Sequence, residues 1–175
     1  MKKTIILALF IAMNITLANA QEWKQYFQFG IGTGYLVDGD IKDSPLLQFE
    51  YGRSYKWLDL SAVVESAREY DKYSNSGTNY VSLNLKTKFD IVRMFAKDTR
   101  HSFKLGTGLG IGATKLSNWY DLPDDNSSIF KVSSVMASYE FRIVEKTWLG
   151  LFFNNYTSDI FFGMHYLGLS VRYNF

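Results

Sequence analysis

Two histidines, His101 and His165, are the side chains best suited to acid–base or nucleophilic chemistry in this chain, which contains no cysteine. A Ser–His hydrolase needs a hydroxyl within hydrogen-bond reach of the imidazole and a third group to orient it. The nearest serine upstream of His165 is Ser158, in a predicted loop, and His101 lies beside a different connection. Two carboxylate clusters, Asp38, Asp40 and Asp43 in "DGDIKD" and Asp121, Asp124 and Asp125 in "DLPDD", have oxygen ligands for calcium. Neither has the twelve-residue loop with its closing Glu, so both read as solvated acidic loops. Trp119 and Tyr120 offer an aromatic pair for a sugar, with nothing else in support. No catalytic, cofactor or metal site is assigned.

Ten more ionisable residues form a pattern: Glu50, Asp59, Glu65, Lys86, Lys88, Asp90, Lys104, Glu140, Arg142 and Arg172 all fall on the polar parity of alternating segments. In "VSLNLKTKFDI", Val81, Leu83, Leu85, Thr87, Phe89 and Ile91 alternate with Ser82, Asn84, Lys86, Lys88 and Asp90. The same period of two runs through "YFQFGIGTGY", "LLQFEYG", "WLDLSAVVES", "FKLGTGLGIGA", "SVMASYEFRI", "WLGLFFNNY" and "HYLGLSVRYNF". Period two is the strand signature, and these make eight strands of membrane-crossing length. Five acids and five bases on one face imply either an ion path or a salt-bridge network that plugs a narrow barrel, and the plug is the plainer reading.

The first twenty residues, "MKKTIILALFIAMNITLANA", have a basic start, an apolar run and an Ala18-Asn19-Ala20 end, as a cleaved secretory signal does. Residues 21–175 are then expected to form one exported domain. Losing Lys2 and Lys3 leaves 17 basic against 17 acidic residues, a balance that gives no support to nucleic-acid binding. Without disulfides, such a domain must hold together by pairing and packing.

The connections alternate between tight (Arg53–Lys56, Val144–Lys146) and long and polar ("AREYDKYSNSGTN", "KLSNWYDLPDDNSS"). "VRMFAKDTR" is longer than expected for the short-turn end. An even number of antiparallel strands with such loops describes an all-β, eight-stranded, up-and-down transmembrane barrel. A soluble exported lipocalin-like barrel is the competitor, since periodicity does not say which face points inward. Glycine rows opposite the apolar face, an apolar face free of charge, and a strand running to Phe175 favour the membrane barrel. Tyr26, Trp57, Tyr80, Trp148 and Tyr173, near strand ends, are expected to form interfacial girdles.

A signal peptide, eight amphipathic strands and the terminal "VRYNF" resemble the small bacterial outer-membrane barrels of the OmpX/OmpA-barrel kind. The resemblance implies a Gram-negative outer membrane, contact with its lipid and lipopolysaccharide, and insertion by the barrel-assembly machinery. That machinery would read Leu169, Val171, Tyr173 and Phe175. With no nucleophile at a triad's spacing and a charged interior in an eight-strand circumference, a non-enzymatic role with a closed lumen is expected. That role is envelope structure, surface-loop binding, or a subunit of a larger outer-membrane complex, in contact with other outer-membrane proteins. Both termini would be periplasmic, with Asp38–Asp43, Arg68–Thr78, Lys115–Ser128 and Thr157–Phe161 outside. His165, on the outward parity near the outer end of strand 8, is similar in placement to the histidine of lipid A deacylases. That family carries Ser two residues later, where this chain has Leu167, so a lipid-modifying enzyme is the alternative rather than the first reading.

Overall fold

A computed structural model describes residues 23–36, 44–71, 76–96, 99–118, 127–158 and 164–175. The signal segment, the two aspartate clusters and Trp119–Tyr120 lie outside the described residues. Eight strands close into one antiparallel barrel in sequence order: β1 (Lys24–Leu36), β2 (Ser44–Tyr55), β3 (Leu58–Asp71), β4 (Ser76–Asp90), β5 (His101–Asn118), β6 (Ser127–Val144), β7 (Thr147–Ser158) and β8 (Met164–Asn174). Closure is made by β1 on β8, with Tyr26 opposite Asn174 and Leu36 opposite Met164. Phe175 adds a bond past the strand end, its N–H donating to the Gln25 carbonyl at 3.0 Å. The terminal strand therefore has partners on both sides, and no sheet edge is left open.

Parity is inside-out relative to a soluble barrel. Along β2 every second residue from Ser44 is buried, and Leu47, Phe49 and Tyr51 between them are exposed. Leu85, Leu109, Val135, Leu151 and Leu169 likewise face outward, and Asn84, Lys86, Ser134, Glu140 and Arg172 face inward. An apolar belt outside and polar groups inside is the arrangement that hydrocarbon surroundings require, because lipid offers no hydrogen bonds. The fold is thus a transmembrane barrel, and the lipocalin alternative, whose apolar face lines the cavity, is set aside.

One end carries the short connections: Lys56–Trp57, Glu145–Lys146, and the five-residue helix α1 (Ile91–Phe95). We term it the turn end. Lys56 takes a left-handed backbone conformation, φ 51°, to reverse the chain in two residues. The length of the 4–5 connection is explained by α1: Asp90 caps it, its carboxylate accepting from the Arg93 N–H at 3.1 Å. At the loop end, pairing continues further than the turn-rich composition suggested. β3 and β4 pair from Leu58 with Phe89 to Asp71 with Ser76, and β5 and β6 reach Lys115 with Ser127. Ladder bonds formed register by register override the weak strand propensity of these polar stretches.

The barrel lumen as candidate functional site

Nine of the ten ionisable residues expected in the lumen are there and buried. Nearest the turn end, Asp59 gathers cations from two other strands. Arg172 Nη1 lies 2.6 Å and Lys104 Nζ 2.8 Å from its Oδ2, and the Ser54 hydroxyl donates to Oδ1. Lys104 also contacts Glu140 at 2.7 Å, and the Arg172 guanidinium lies over the Tyr26 ring at 3.6 Å. Midway, Lys88 Nζ reaches both Glu50 oxygens at 2.5 and 2.7 Å, and the Tyr26 hydroxyl donates to Glu50 at 2.6 Å. Further toward the loops, Glu65 accepts from Lys86 at 2.6 Å, from Asn84 at 2.7 Å and from the Tyr156 hydroxyl. Asn154 then bonds Gln48 at 3.2 Å, joining β7 to β2.

These pairs are bound on several sides, which offsets part of the large cost of taking charge out of water. They also have room by design of the sequence. Asn84, Lys86 and Lys88 on β4 stand opposite Gly110, Gly108 and Gly106 on β5. A Cβ at Gly106 would lie 2.5 Å from the Thr87 carbonyl oxygen and 3.0 Å from Lys88 Cγ. The glycine row is a floor over which the lysine stems lie.

The tenth residue, Arg142, is a correction. It is half-buried at the turn end, beside the register shift between Arg142 and Val144, with its guanidinium 5.6 Å from the Trp148 ring centroid. It keeps the inward parity, between exposed Phe141 and Ile143 and opposite buried Trp148, but it sits at the mouth of the lumen rather than among the buried charges. Arg93 pairs with Asp90 instead, at 3.2 Å, and supplies the fifth base from α1. Parity reasoning missed Arg93 because it lies on no strand; its spacing of three from a capping Asp was the available signal.

Three of the five expected girdle aromatics are corrections too. Tyr26, Tyr80 and Trp148 are buried in the lumen, whereas Trp57 and Tyr173 are exposed. Tyr80 stacks on Phe130 at 5.6 Å and belongs to an apolar cluster with Leu46, Val132, Phe152, Tyr156 and Tyr166. That cluster lies in the loop-end half of the lumen. Four of these rings, Tyr26, Phe130, Phe152 and Tyr166, again face a glycine: a Cβ at Gly112 would meet Phe130 Cζ at 2.6 Å, and one at Gly52 would meet Tyr26 Cζ at 2.5 Å.

On the outside, His165 is half-buried and stacks on Phe153 at 5.8 Å, with Asn155 and Tyr35 as its neighbours across the ladder. His101 is exposed at the start of β5, its Nδ1 2.5 Å from the Tyr139 hydroxyl. Leu169, Val171, Tyr173 and Phe175 all face outward, and Phe175 meets Phe27 and Tyr173 edge-on at 5.8 and 5.4 Å. Among the described residues no three His, Cys, Asp or Glu side chains gather as a metal site would need.

No family model matches the sequence, and no curated protein matches it either. Solved structures do. Neisserial surface protein A superposes with TM-score 0.62 at 12% identity, covering 89% of this chain and 98% of that one. Ail, the attachment invasion locus protein of Yersinia pestis, gives 0.58 at 13% identity, covering 87% and 97%; a second Ail structure holds the heparin analogue sucrose octasulfate. The outer membrane enzyme PagL gives 0.56 at 13% identity, covering 85% and 98%. At these identities the likeness is one of fold, and this chain has the fold of the small eight-stranded outer-membrane β-barrels.

Proposed function

We propose that this chain is a non-enzymatic integral protein of a Gram-negative outer membrane, a closed barrel that displays its loop end to the exterior for binding. The observation that carries the reading is what occupies the lumen: buried, bonded charges in one half and packed rings in the other, which favour a barrel that is a support rather than a conduit. The outer-membrane fold of its neighbours supports the location, and Ail with its bound heparin analogue supports ligand capture on such a barrel. PagL shows that the fold also hosts an enzyme. Against that alternative stands the surroundings of His165, where Leu167 occupies the position two residues on and neither ladder neighbour is a serine.

Replacing His165 with Ala and examining lipid A of expressing cells by mass spectrometry is the direct test. Identical lipid A with the wild-type protein, the variant and no protein is expected; an acyl-chain change that His165→Ala abolishes would make this an enzyme. Orientation is checked with single cysteines. Labelling of intact cells is expected at Ser74 and Asn126 and not at Lys146, and the reverse pattern would invert the barrel. The reading also makes the end of β8 an assembly signal for the barrel-assembly machinery. Deleting Phe175 should then sharply reduce inserted, heat-modifiable protein, with Asn174→Ser doing little; equal insertion of the two would reduce Phe175 to a packing residue.

A further inference from the structure

Among the described residues, the turn-end rim gathers cations with few carboxylates to answer them. Arg93, Arg100, Arg142 and Lys146 occupy one sector, and Lys24 and Arg53 the strands across the barrel. Glu145 is the one exposed carboxylate side chain at that end among the described residues. The arginines stand close together. The Arg142 N–H donates to the Arg100 carbonyl at 2.8 Å, and the guanidinium carbons of Arg93 and Arg142 lie 5.0 and 5.6 Å from the same Trp148 ring centroid. Arg93 already holds Asp90, whereas no carboxylate lies within 4.0 Å of Arg100 or Arg142 among the described residues.

Apolar surface continues directly from these charges. In α1, which buries none of its residues, Met94 is 50% and Phe95 87% exposed, and Ile143 and Val144 beside Arg142 are exposed as well. A five-residue helix cannot hold itself together in water by its own bonds, and this one presents its largest ring outward. An arginine cluster bordering an apolar belt matches a molecule with a phosphate at one end and acyl chains at the other. Guanidinium groups suit a phosphodiester better than ammonium groups do, because their planar fork can bond two oxygens together.

We propose that α1 and the β6–β7 turn form a docking surface for anionic glycerophospholipid, with Arg93, Arg100 and Arg142 on the phosphate and Met94, Phe95 and Val144 against the acyl chains. This rests on the membrane-barrel reading and places the lipid in the leaflet that the turn end faces, the periplasmic one if both termini are periplasmic. Each cation near an anionic lipid surface contributes roughly a fivefold preference, so three together give on the order of a hundredfold.

The test is native mass spectrometry of the full-length folded barrel, released from detergent micelles doped with equal phosphatidylglycerol and phosphatidylcholine. Wild type should retain phosphatidylglycerol in strong preference. The triple variant Arg93→Gln/Arg100→Gln/Arg142→Gln should lose that preference, and the triple Lys variant should keep most of it. Heat-modifiable migration reports folding; where the triple variant does not fold, Arg100→Gln/Arg142→Gln spares the Asp90–Arg93 pair and should lose roughly 25-fold. Phe95→Ser should weaken retention of both lipids. Equal retention of the two lipids by wild type, or undiminished selectivity in a folded Gln variant, overturns the proposal. Selectivity in a micelle does not depend on which way the barrel faces, so an inverted labelling pattern in cells would correct the leaflet and leave the site intact.

Discussion

The two halves of the lumen solve one packing problem in opposite chemistries. The turn-end half is filled by long, thin, charged side chains that span from strand to strand, such as Arg172 of β8 on Asp59 of β3. The loop-end half is filled by rings, Phe130, Phe152 and Tyr166, each laid over a glycine on another strand. Tyr156 belongs to both, packed in the apolar cluster while its hydroxyl donates to Glu65. An apolar filling tolerates imperfect fit by small shifts; a charged one cannot lose a member without stranding the rest. The halves should therefore differ in how steeply single changes are felt.

The largest loss is expected for Asp59→Leu, which leaves Arg172 and Lys104 with Glu140 alone. A cost of about 3–5 kcal/mol is expected in urea unfolding in detergent or lipid. Replacing the whole group (Asp59→Leu, Lys104→Met, Glu140→Leu, Arg172→Met) should then recover most of that loss, since a buried ion network often does no better than apolar isosteres. If the fourfold variant is worse than Asp59→Leu, the charges stabilise the barrel outright and the contrast between the halves dissolves.

Smaller effects belong to the ring half. Gly112→Ala pushes a methyl into the Phe130 ring and should cost about 1–3 kcal/mol, as overpacked cores do. In a Phe130→Leu background that cost should shrink, which a double-mutant cycle reads directly. Additive costs would mean that the glycine serves the backbone rather than the ring. Phe130→Leu alone should be the mildest, under about 1.5 kcal/mol.

Much of this was legible from parity alone. Alternation assigned the eight strands, their faces and nine of the lumen charges, because lipid outside and a bonded interior make every residue answer to a period of two. Tyr80 and Trp148 were misassigned although parity spoke for them: Val81 and Leu149 face outward, so their neighbours turn in. Position near a strand end is a weaker guide to facing than register. Arg142 and Arg93 were not readable in that way. Parity turns the first inward but does not say that it stops at the mouth of the lumen, and a helical turn has no parity to give for the second. Strand ends were also set too early at the loop end, since turn-rich composition marks where a chain can leave a ladder and not where pairing stops paying its entropy.

The bonds that cross the lumen also set an order of events. Arg172 and Asp59 are 113 residues apart, and Asn154 and Gln48 are 106 apart. Neither pair can meet while the sheet is open, so β1 must find β8, or come close, before the interior charges are satisfied. A half-curled sheet would carry those ionic groups bare, and it lies high in free energy whether approached from the unfolded or the folded side. Contacts this distant in sequence are slow to form. Because they are absent from an open intermediate, they slow the way out as well. The closed seam thus makes persistence a matter of rate: once shut, the barrel should stay shut far longer than its equilibrium stability alone would suggest.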